Sequence, residues 1–174
     1  MIRNVNCEPF VIGLYSGVKK PSNVCEYLSR FIDEYNLLHT NGFELESKRW
    51  NIKMHSVICD TPARAFVKCV KSHSGYHGCD KCEQRGSWMG KMTYPEMNAN
   101  LRTDHSFRRK SDEGHHIGDS PFLEARIGMV SNFPLDYMHL VCLGVMKRIL
   151  LMWIKGPLCS RVGPRVVDAI SDAF

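Results

Sequence analysis

The feature that most constrains the fold is a long stretch without clear hydrophobic periodicity, residues 72–134, in the middle of a 174-residue chain. The stretch is rich in glycine and polar residues, and so long an irregular segment is unusual inside a compact domain unless something such as a metal organises it. Cys79 and Cys82 lie within it, in the order Cys-Asp-Lys-Cys after Gly78. This spacing directs two thiolates at one zinc ion. The sequence therefore predicts a loop-rich, zinc-binding subdomain over residues 72–134.

Zinc requires four ligands, and a second Cys pair at zinc-finger spacing is absent from the sequence. The histidines that offer further donors are His73, His77, His105, His115, His116 and His139. A redox pair or two independent thiols would show the same Cys-x-x-Cys letters. A thioredoxin-like site fits poorly, because the pair does not open a helix after a strand.

Composition limits the class of protein. Hydrophobic residues make up 44% of the chain and charged residues 24%, as in ordinary soluble globular proteins. No apolar run reaches the roughly 18–20 residues of a membrane helix, and residues 1–7 do not resemble a secretory signal. We therefore expect no membrane association, no secretion and reduced thiols. The excess of 23 Lys and Arg over 18 Asp and Glu fits nucleic-acid contact without establishing it.

The beginning of the chain alternates between strand and helix patterns. The apolar run at residues 9–15, closed by a Ser-Gly turn, predicts a buried strand. Asn23 is placed to cap a helix that ends near a turn at Gly42. The residues spaced to form the buried face of that helix are Val24, Leu28, Phe31, Tyr35 and Leu38.

Asp60 follows a second predicted strand. Apolar residues alternate from Trp50 and become continuous at residues 57–59, as in a strand that enters a core. Thr61 and Pro62 then predict a helix start. Its expected inward residues are Ala63, Phe66, Val67 and Val70. Metal-dependent phosphoryl-transfer folds place a carboxylate at such a strand end, although N-capping of the helix by Asp60, shared with Thr61, explains the same letters.

A helix with one apolar face is predicted over residues 135–154, ended by Gly156, and a further helix begins near Val162. The apolar face comprises Leu135, Met138, Val141, Cys142, Val145, Ile149 and Met152. Asp136 and His139 are three residues apart, so on a helix they share a face and could act on one metal ion, water or phosphate. A surface Asp-His pair, or a helix start capped by Asp136, is the alternative.

A basic stretch precedes this helix. Its residues are Arg102, His105, Arg108, Arg109 and Lys110, with Phe107 among them. Such a stretch can follow a phosphate backbone while the ring stacks on a base. A solvated loop is the alternative interpretation.

Several of these segments together resemble one family. They read ICDTPARAF at 58–66, GYHGCDKC at 75–82, RTD at 102–104, HH at 115–116 and FPLDYMHLVCLGVM at 133–146. In this combination the chain resembles the CACTA/En-Spm-like transposases of invertebrate mobile elements. The resemblance implies an α/β fold, part of an RNase H-like DDE catalytic core, in which three acids bind two Mg²⁺ ions for attack on a phosphodiester.

The resemblance also implies roles for individual residues. Asp60 matches the second catalytic acid, and Cys79 and Cys82 match a zinc-binding pair. The chain itself offers His73, His77, His115 and His116 as candidate further ligands. Asp136 and His139 match an acid-x-x-His motif near the active site. Transposon-end DNA is the implied partner, and the implied location is the nucleus, with oligomerisation in the intact protein.

The family's first Asp and its third acid, a Glu on a helix, have no match in this chain. Glu113 and Glu124 precede the Asp136 motif and are in the wrong order to serve. We therefore expect residues 1–71 to be part of the RNase H-like core, 72–134 the Cys-x-x-Cys insertion and 135–174 its helical part. The expected function is that of a transposase fragment inactive by itself; the alternative is a non-catalytic, zinc-stabilised module that binds DNA or protein.

Overall fold

Helices and short hairpins, joined by long irregular segments, make up the chain. A computed structural model describes residues 8–173, so the predictions on residues 1–7, including the absent signal and the Cys7 thiol, lie outside the described residues. The chain divides into two compact units, Met1–Pro134 and Leu135–Phe174.

The elements of the first unit are α1 (Val24–Asn41), β1 (Phe43–Leu45), β2 (Lys48–Trp50), α2 (Thr61–Lys68), β3 (Ser87–Trp88), β4 (Met92–Thr93), α3 (Asp104–Arg108) and two 3-10 turns, Glu113–His115 and Pro121–Leu123. Strands β1 and β2 form one antiparallel pair, and β3 and β4 form another. Both sheets among the described residues are two-stranded.

Helix α1 confirms the prediction made from its cap and periodicity. The Asn23 side chain accepts hydrogen bonds from the backbone N–H groups of Cys25 (3.0 Å) and Glu26 (3.2 Å). Gly42, with φ +67°, ends the helix and donates its N–H to the Leu38 carbonyl. The buried residues of the helix are Val24, Ile32 and Tyr35, while Leu28 and Phe31 are partly buried against the same core.

The predicted strand up to Asp60 is wrong beyond Trp50. Strand β2 ends there because its partner β1 begins at Phe43, and no other strand pairs with the following residues within 8–173. Ile52 and Met54 nevertheless alternate inward, as the period of two predicts, whereas Ile58 is 68% exposed.

The backbone of residues 54–57 forms its hydrogen bonds with side chains and loop residues instead of with a strand. The Tyr35 hydroxyl accepts the Met54 N–H, and Asn132 accepts the Val57 N–H through its carbonyl and donates its side-chain amide to the His55 carbonyl. Asn132 also accepts the Gly128 N–H through its side-chain oxygen. A single asparagine thus takes the place of a neighbouring strand.

The strand predicted at residues 9–15 is also wrong. Phe10, Val11, Ile12 and Leu14 are between 68% and 85% exposed. A strand requires a neighbour to pair with, and the described part of the chain brings none to these residues. The apolar run is therefore an exposed, irregular segment in this structure.

Helix α2 begins as predicted but presents a different face to the core. Asp60 is the N-cap, and its side chain accepts the Ala63 N–H at 2.8 Å. Ala63 is exposed, and the buried residues are Arg64, Val67 and Lys68. Cys69, with φ +53°, ends the helix, so the predicted inward residue Val70 lies beyond it and pairs with His116 in an isolated bridge.

One core joins the regular and the irregular parts of the first unit. Ile32 and Tyr35 of α1 and Val67 of α2 belong to the same cluster as residues from the irregular stretch, namely Phe107, Phe122, Ala125, Ile127, Met129 and Phe133. The Phe122 ring packs edge-on against both Phe31 and Phe133, with centroids 6.4 and 5.5 Å apart. Residues 72–134 are irregular, as the sequence predicts, but they share one core with the residues before them.

The second unit is helical, as predicted. It comprises a π-helix (Met138–Met146), α4 (Lys147–Lys155) and α5 (Pro164–Asp172). Gly156 ends α4 and donates its N–H to the Met152 carbonyl. None of residues 135–173 is buried. Across the described residues, every helix is too short or too polar to span a bilayer.

Candidate functional site

The two sulfurs of the Cys-Asp-Lys-Cys turn lie 3.0 Å apart. The Cys82 N–H donates to the Cys79 sulfur at 3.4 Å, which closes the turn, and the Gln84 amide donates to the Cys82 sulfur at 3.2 Å. Cys82 is buried and Cys79 is half-buried. The structure therefore brings the two predicted zinc ligands together.

The thiols differ in acidity. Burial raises the pKa of Cys79, and its hydrogen bond with Cys82 raises it further. At Cys82 burial acts in the same direction, but hydrogen bonds from the Cys79 and Gln84 side chains outweigh it and lower the pKa. Of the two thiols, Cys82 is therefore the more acidic.

Asp80, between the two cysteines, joins the turn to helix α2. Its carboxylate pairs with the Arg64 guanidinium (Nε to Oδ2, 3.2 Å) and with the Lys68 ammonium. Lys68 is fully buried, and burial lowers its pKa although Asp80 opposes this shift. Its ammonium also lies over the rings of Phe107 (5.1 Å) and Phe133 (5.5 Å).

Arg102 holds the same turn from another side. Its guanidinium donates to the carbonyls of Cys79 (3.4 Å) and Cys82 (3.0 Å) and to the Asp112 carboxylate (3.0 Å). The side chain is 1% exposed. Arg102 is therefore a structural residue of the turn and does not reach a DNA backbone, contrary to its expected role.

Lys81 completes the anchoring. Its ammonium donates to the carbonyls of Val130 (3.1 Å) and Phe133 (2.9 Å). Every residue of the Cys-Asp-Lys-Cys turn thus has a partner in the surrounding structure, and the positions of the thiols are fixed by the core.

His115 and His116 lie in the interior beside Arg102. His115 is fully buried, and its Nδ1 lies 2.7 Å from the His77 carbonyl, to which it can only donate, so the Nε2 lone pair is free. Burial lowers the pKa of His115 to about 4 and also lowers that of His116. The Nε2 atoms of both rings are buried without a hydrogen-bond partner in the described structure. Both rings are neutral at pH 7.

The other two candidate ligands are engaged with polar neighbours. His77 Nδ1 lies 2.8 Å from an Asp112 oxygen, and His73 Nδ1 lies 3.4 Å from the Ser72 hydroxyl. Among residues 8–173, no three or more His, Cys, Asp or Glu side chains are grouped as ligands of one ion. Cys79 and Cys82 are thus two potential zinc ligands, and a zinc site requires four.

Asp60, the candidate magnesium ligand, lies at the N-terminus of α2. Its Oδ1 serves as the N-cap acceptor, as the alternative interpretation predicts. Among the described residues, Asp60 belongs to no group of three or more His, Cys, Asp or Glu side chains that could hold a metal ion. Helix α2 carries both Asp60 at its start and the Arg64 and Lys68 partners of Asp80, so the candidate acid and the Cys-x-x-Cys turn are joined through one short helix.

Asp136 and His139 form a pair in the second unit. One Asp136 oxygen lies 2.5 Å from His139 Nδ1, and the other accepts the Met138 N–H at 2.9 Å. The hydrogen bond with His139 lowers the Asp136 pKa. The carboxylate fixes the tautomer of the half-exposed imidazole and leaves Nε2 free. Asp136 therefore pairs with His139 and also accepts a backbone N–H at the start of the helix, so both interpretations of this residue apply.

The rest of the basic stretch is mostly engaged in the protein. Arg108 donates to the carbonyls of Leu123 (3.3 Å) and Ile127 (2.7 Å), and Lys110 pairs with Asp119 at 2.8 Å on the surface. Arg109 and His105 are exposed. The stretch folds around α3 as a structural element, and Arg109 is its most accessible candidate for DNA.

Sequence reasoning missed the charged residues that build the site. Arg64 and Lys68, which are buried, and their region's partly buried acids Asp80 and Asp112 were not predicted as part of the site, although Arg64 and Lys68 are four residues apart on one face of α2. That spacing, with an acid inside the Cys-x-x-Cys turn, was the available signal. Comparisons of the chain with family models, with curated proteins and with solved structures give no match.

Proposed function

We propose that the chain is part of a DDE-type DNA transposase related to the CACTA/En-Spm group, with Asp60 as one of its magnesium-binding acids. The observation that carries the proposal is the link between Asp60 and Cys79-x-x-Cys82 through helix α2 and the Asp80 ion pairs. The two motifs that suggest the family are therefore connected through helix α2.

In this proposal, Asp60 contributes a carboxylate and the other catalytic acids come from outside these 174 residues, within an RNase H-like core. Two Mg²⁺ ions held by three acids would activate water or a DNA 3′-hydroxyl for attack on a phosphodiester. Asp60 alone cannot hold them, so the 174-residue chain does not cut DNA. Action on transposon ends places the protein in the nucleus, where the intact protein would oligomerise.

The test uses a longer chain that joins these residues to a first Asp and a third Glu, assayed for strand cleavage with Mg²⁺. Asp60→Asn should abolish cleavage without unfolding the chain, because Asn caps a helix as well as Asp does. Glu124→Gln, at an exposed acid, is the matched control and should leave cleavage unchanged. Cleavage that survives Asp60→Asn, or cleavage by the 174-residue chain that Asp60→Asn removes, would contradict the proposal.

A second candidate is a non-catalytic, zinc-stabilised module that binds DNA or protein. It is favoured by the use of the Asp60 carboxylate as an N-cap and by the convergence of buried anchors on the Cys-x-x-Cys turn. In this case zinc would be held by Cys79 and Cys82 together with ligands still to be identified. Retention of DNA binding in a longer chain that shows no cleavage would favour the module.

A further inference from the structure

An exposed aromatic and cationic face lies next to the Cys-x-x-Cys turn, outside every residue assigned above. We define the hairpin face as Tyr76, Arg85, Trp88, Met89 and Lys91. Tyr76, Trp88 and Met89 are 50%, 64% and 71% exposed. These three large side chains, on one hairpin and its adjoining turn, are too exposed to contribute to the hydrophobic core.

The hairpin face is held in place by its backbone. Gly86 donates its N–H to the Tyr76 carbonyl at 2.6 Å, and the Tyr94 hydroxyl donates to the Gly75 carbonyl at 2.6 Å. These bonds tie strands β3 and β4 to the turn that carries Tyr76. The backbone of the face is therefore already in place before a ligand binds, which lowers the entropic cost of binding.

Charge on the hairpin face has one sign. Arg85 and Lys91 are the charged residues of segment 84–95, which Glu83 and Glu96 border on either side. The Arg85 guanidinium lies 5.4 Å from the centre of the Tyr76 ring, so a cation and an exposed ring are already side by side. An anionic ligand with flat apolar groups matches this combination.

We propose that the hairpin face binds single-stranded DNA, with a base stacked on Trp88 and phosphates near Arg85 and Lys91. Unpaired bases can stack on an exposed ring, whereas a duplex offers this face only its phosphates. The choice of DNA rests on the proposed function, since cuts offset between the two strands of a duplex leave unpaired ends. The Trp88 contact does not depend on Asp60 or on a metal ion.

The experiment measures binding of a fluorescein-labelled 15-nucleotide oligo-dT to the full chain by anisotropy at low salt. Trp88→Ala should weaken binding about tenfold or more, and Trp88→Phe, which keeps a stacking ring, should stay close to wild type. Trp50→Ala is the matched control, since Trp50 is 42% exposed on the other hairpin, and it should not change binding. Lys91→Ala should weaken binding and reduce its salt dependence.

Circular dichroism on each variant separates loss of binding from loss of folding. The proposal is overturned if wild type does not bind the oligonucleotide, if Trp88→Ala binds as wild type does, or if duplex DNA binds equally well. It is also overturned if phosphatidylserine vesicles, rather than the oligonucleotide, require Trp88. The cleavage test with Asp60→Asn is read separately, so failure of the hairpin face and failure of the transposase proposal are distinguishable.

Discussion

Arg64 and Asp80 form an ion pair (Nε to Oδ2, 3.2 Å) whose side chains are only 6% and 12% exposed. Lys68 shares the same carboxylate and is fully buried. Two cations thus depend on one acid, and that acid lies between the two cysteines of the candidate metal site.

Asp80→Ala should destabilise the fold by about 3–5 kcal/mol, because it leaves two buried cations without their partner. Asp119→Ala removes a surface pair with Lys110 and should cost less than about 1 kcal/mol. Urea denaturation followed by circular dichroism measures both. Equal costs for the two variants would show that Asp80 does not hold the interior together.

Asp60→Ala should cost about 1 kcal/mol of stability and Asp60→Asn only a few tenths, because Asn accepts the Ala63 N–H as Asp does. The same urea titration measures the difference. If Asp60→Asn and Asp60→Ala were equally destabilising, the carboxylate charge rather than the cap would be the stabilising feature.

His115 should make stability depend on pH. Its pKa is about 4 in the fold against 6.5 ordinarily, so on acidification the unfolded chain takes up the proton first. This contribution is complete above pH 6.5 and is lost as the pH falls to about 4. At pH 5 the loss relative to pH 7 should be about 2 kcal/mol.

His115→Gln removes the titrating ring and should flatten this dependence, whereas His105→Gln, at an exposed histidine, should not. Unfolding free energies of the three chains at pH 7 and pH 5 provide the measurement. An unchanged slope in His115→Gln would mean that other groups, such as His116, account for the acid sensitivity.

The Cys-x-x-Cys turn should bind about one zinc ion per chain, as in structural sites that use paired thiolates. Cys79→Ser with Cys82→Ser should abolish it. Cys25→Ser with Cys159→Ser is the matched control, because both thiols are free and exposed. Elemental analysis of the purified chains measures the zinc content. If the Cys79→Ser, Cys82→Ser variant kept its zinc, the ion would be bound elsewhere.

Helices could be predicted from this sequence because their signals are local. Asn23 and Gly42 mark both ends of α1, and Gly156 marks the end of α4, within a few residues of the hydrogen bonds they form. The strands could not, because a strand depends on a neighbour from another part of the chain. Apolar residues alternate along residues 51–60 as in a strand, but the backbone there is hydrogen-bonded to Asn132 instead of to a partner strand.

The candidate metal ligands could be predicted from the sequence, but the residues that hold them in place could not. Cys79 and Cys82 stand out by spacing, but Arg102 looks like a solvated base beside Arg108 and Arg109. Only the fold shows that its guanidinium is enclosed by Cys79, Cys82 and Asp112. The burial of Arg102 could not be predicted from the sequence, because its partners Cys79 and Cys82 are 20 or more residues away along the chain.

The hydrogen bonds of Asn132 affect the order in which parts of the chain can fold during synthesis. It fixes the backbone at residues 55–57, immediately before Asp60, through bonds that span more than half of the first unit. During synthesis the ribosome must therefore release residue 132 before the segment leading to Asp60 can settle. Helix α1 and the Asp60 N-cap depend on local bonds, whereas the backbone at residues 55–57 is fixed only when the first unit is nearly complete.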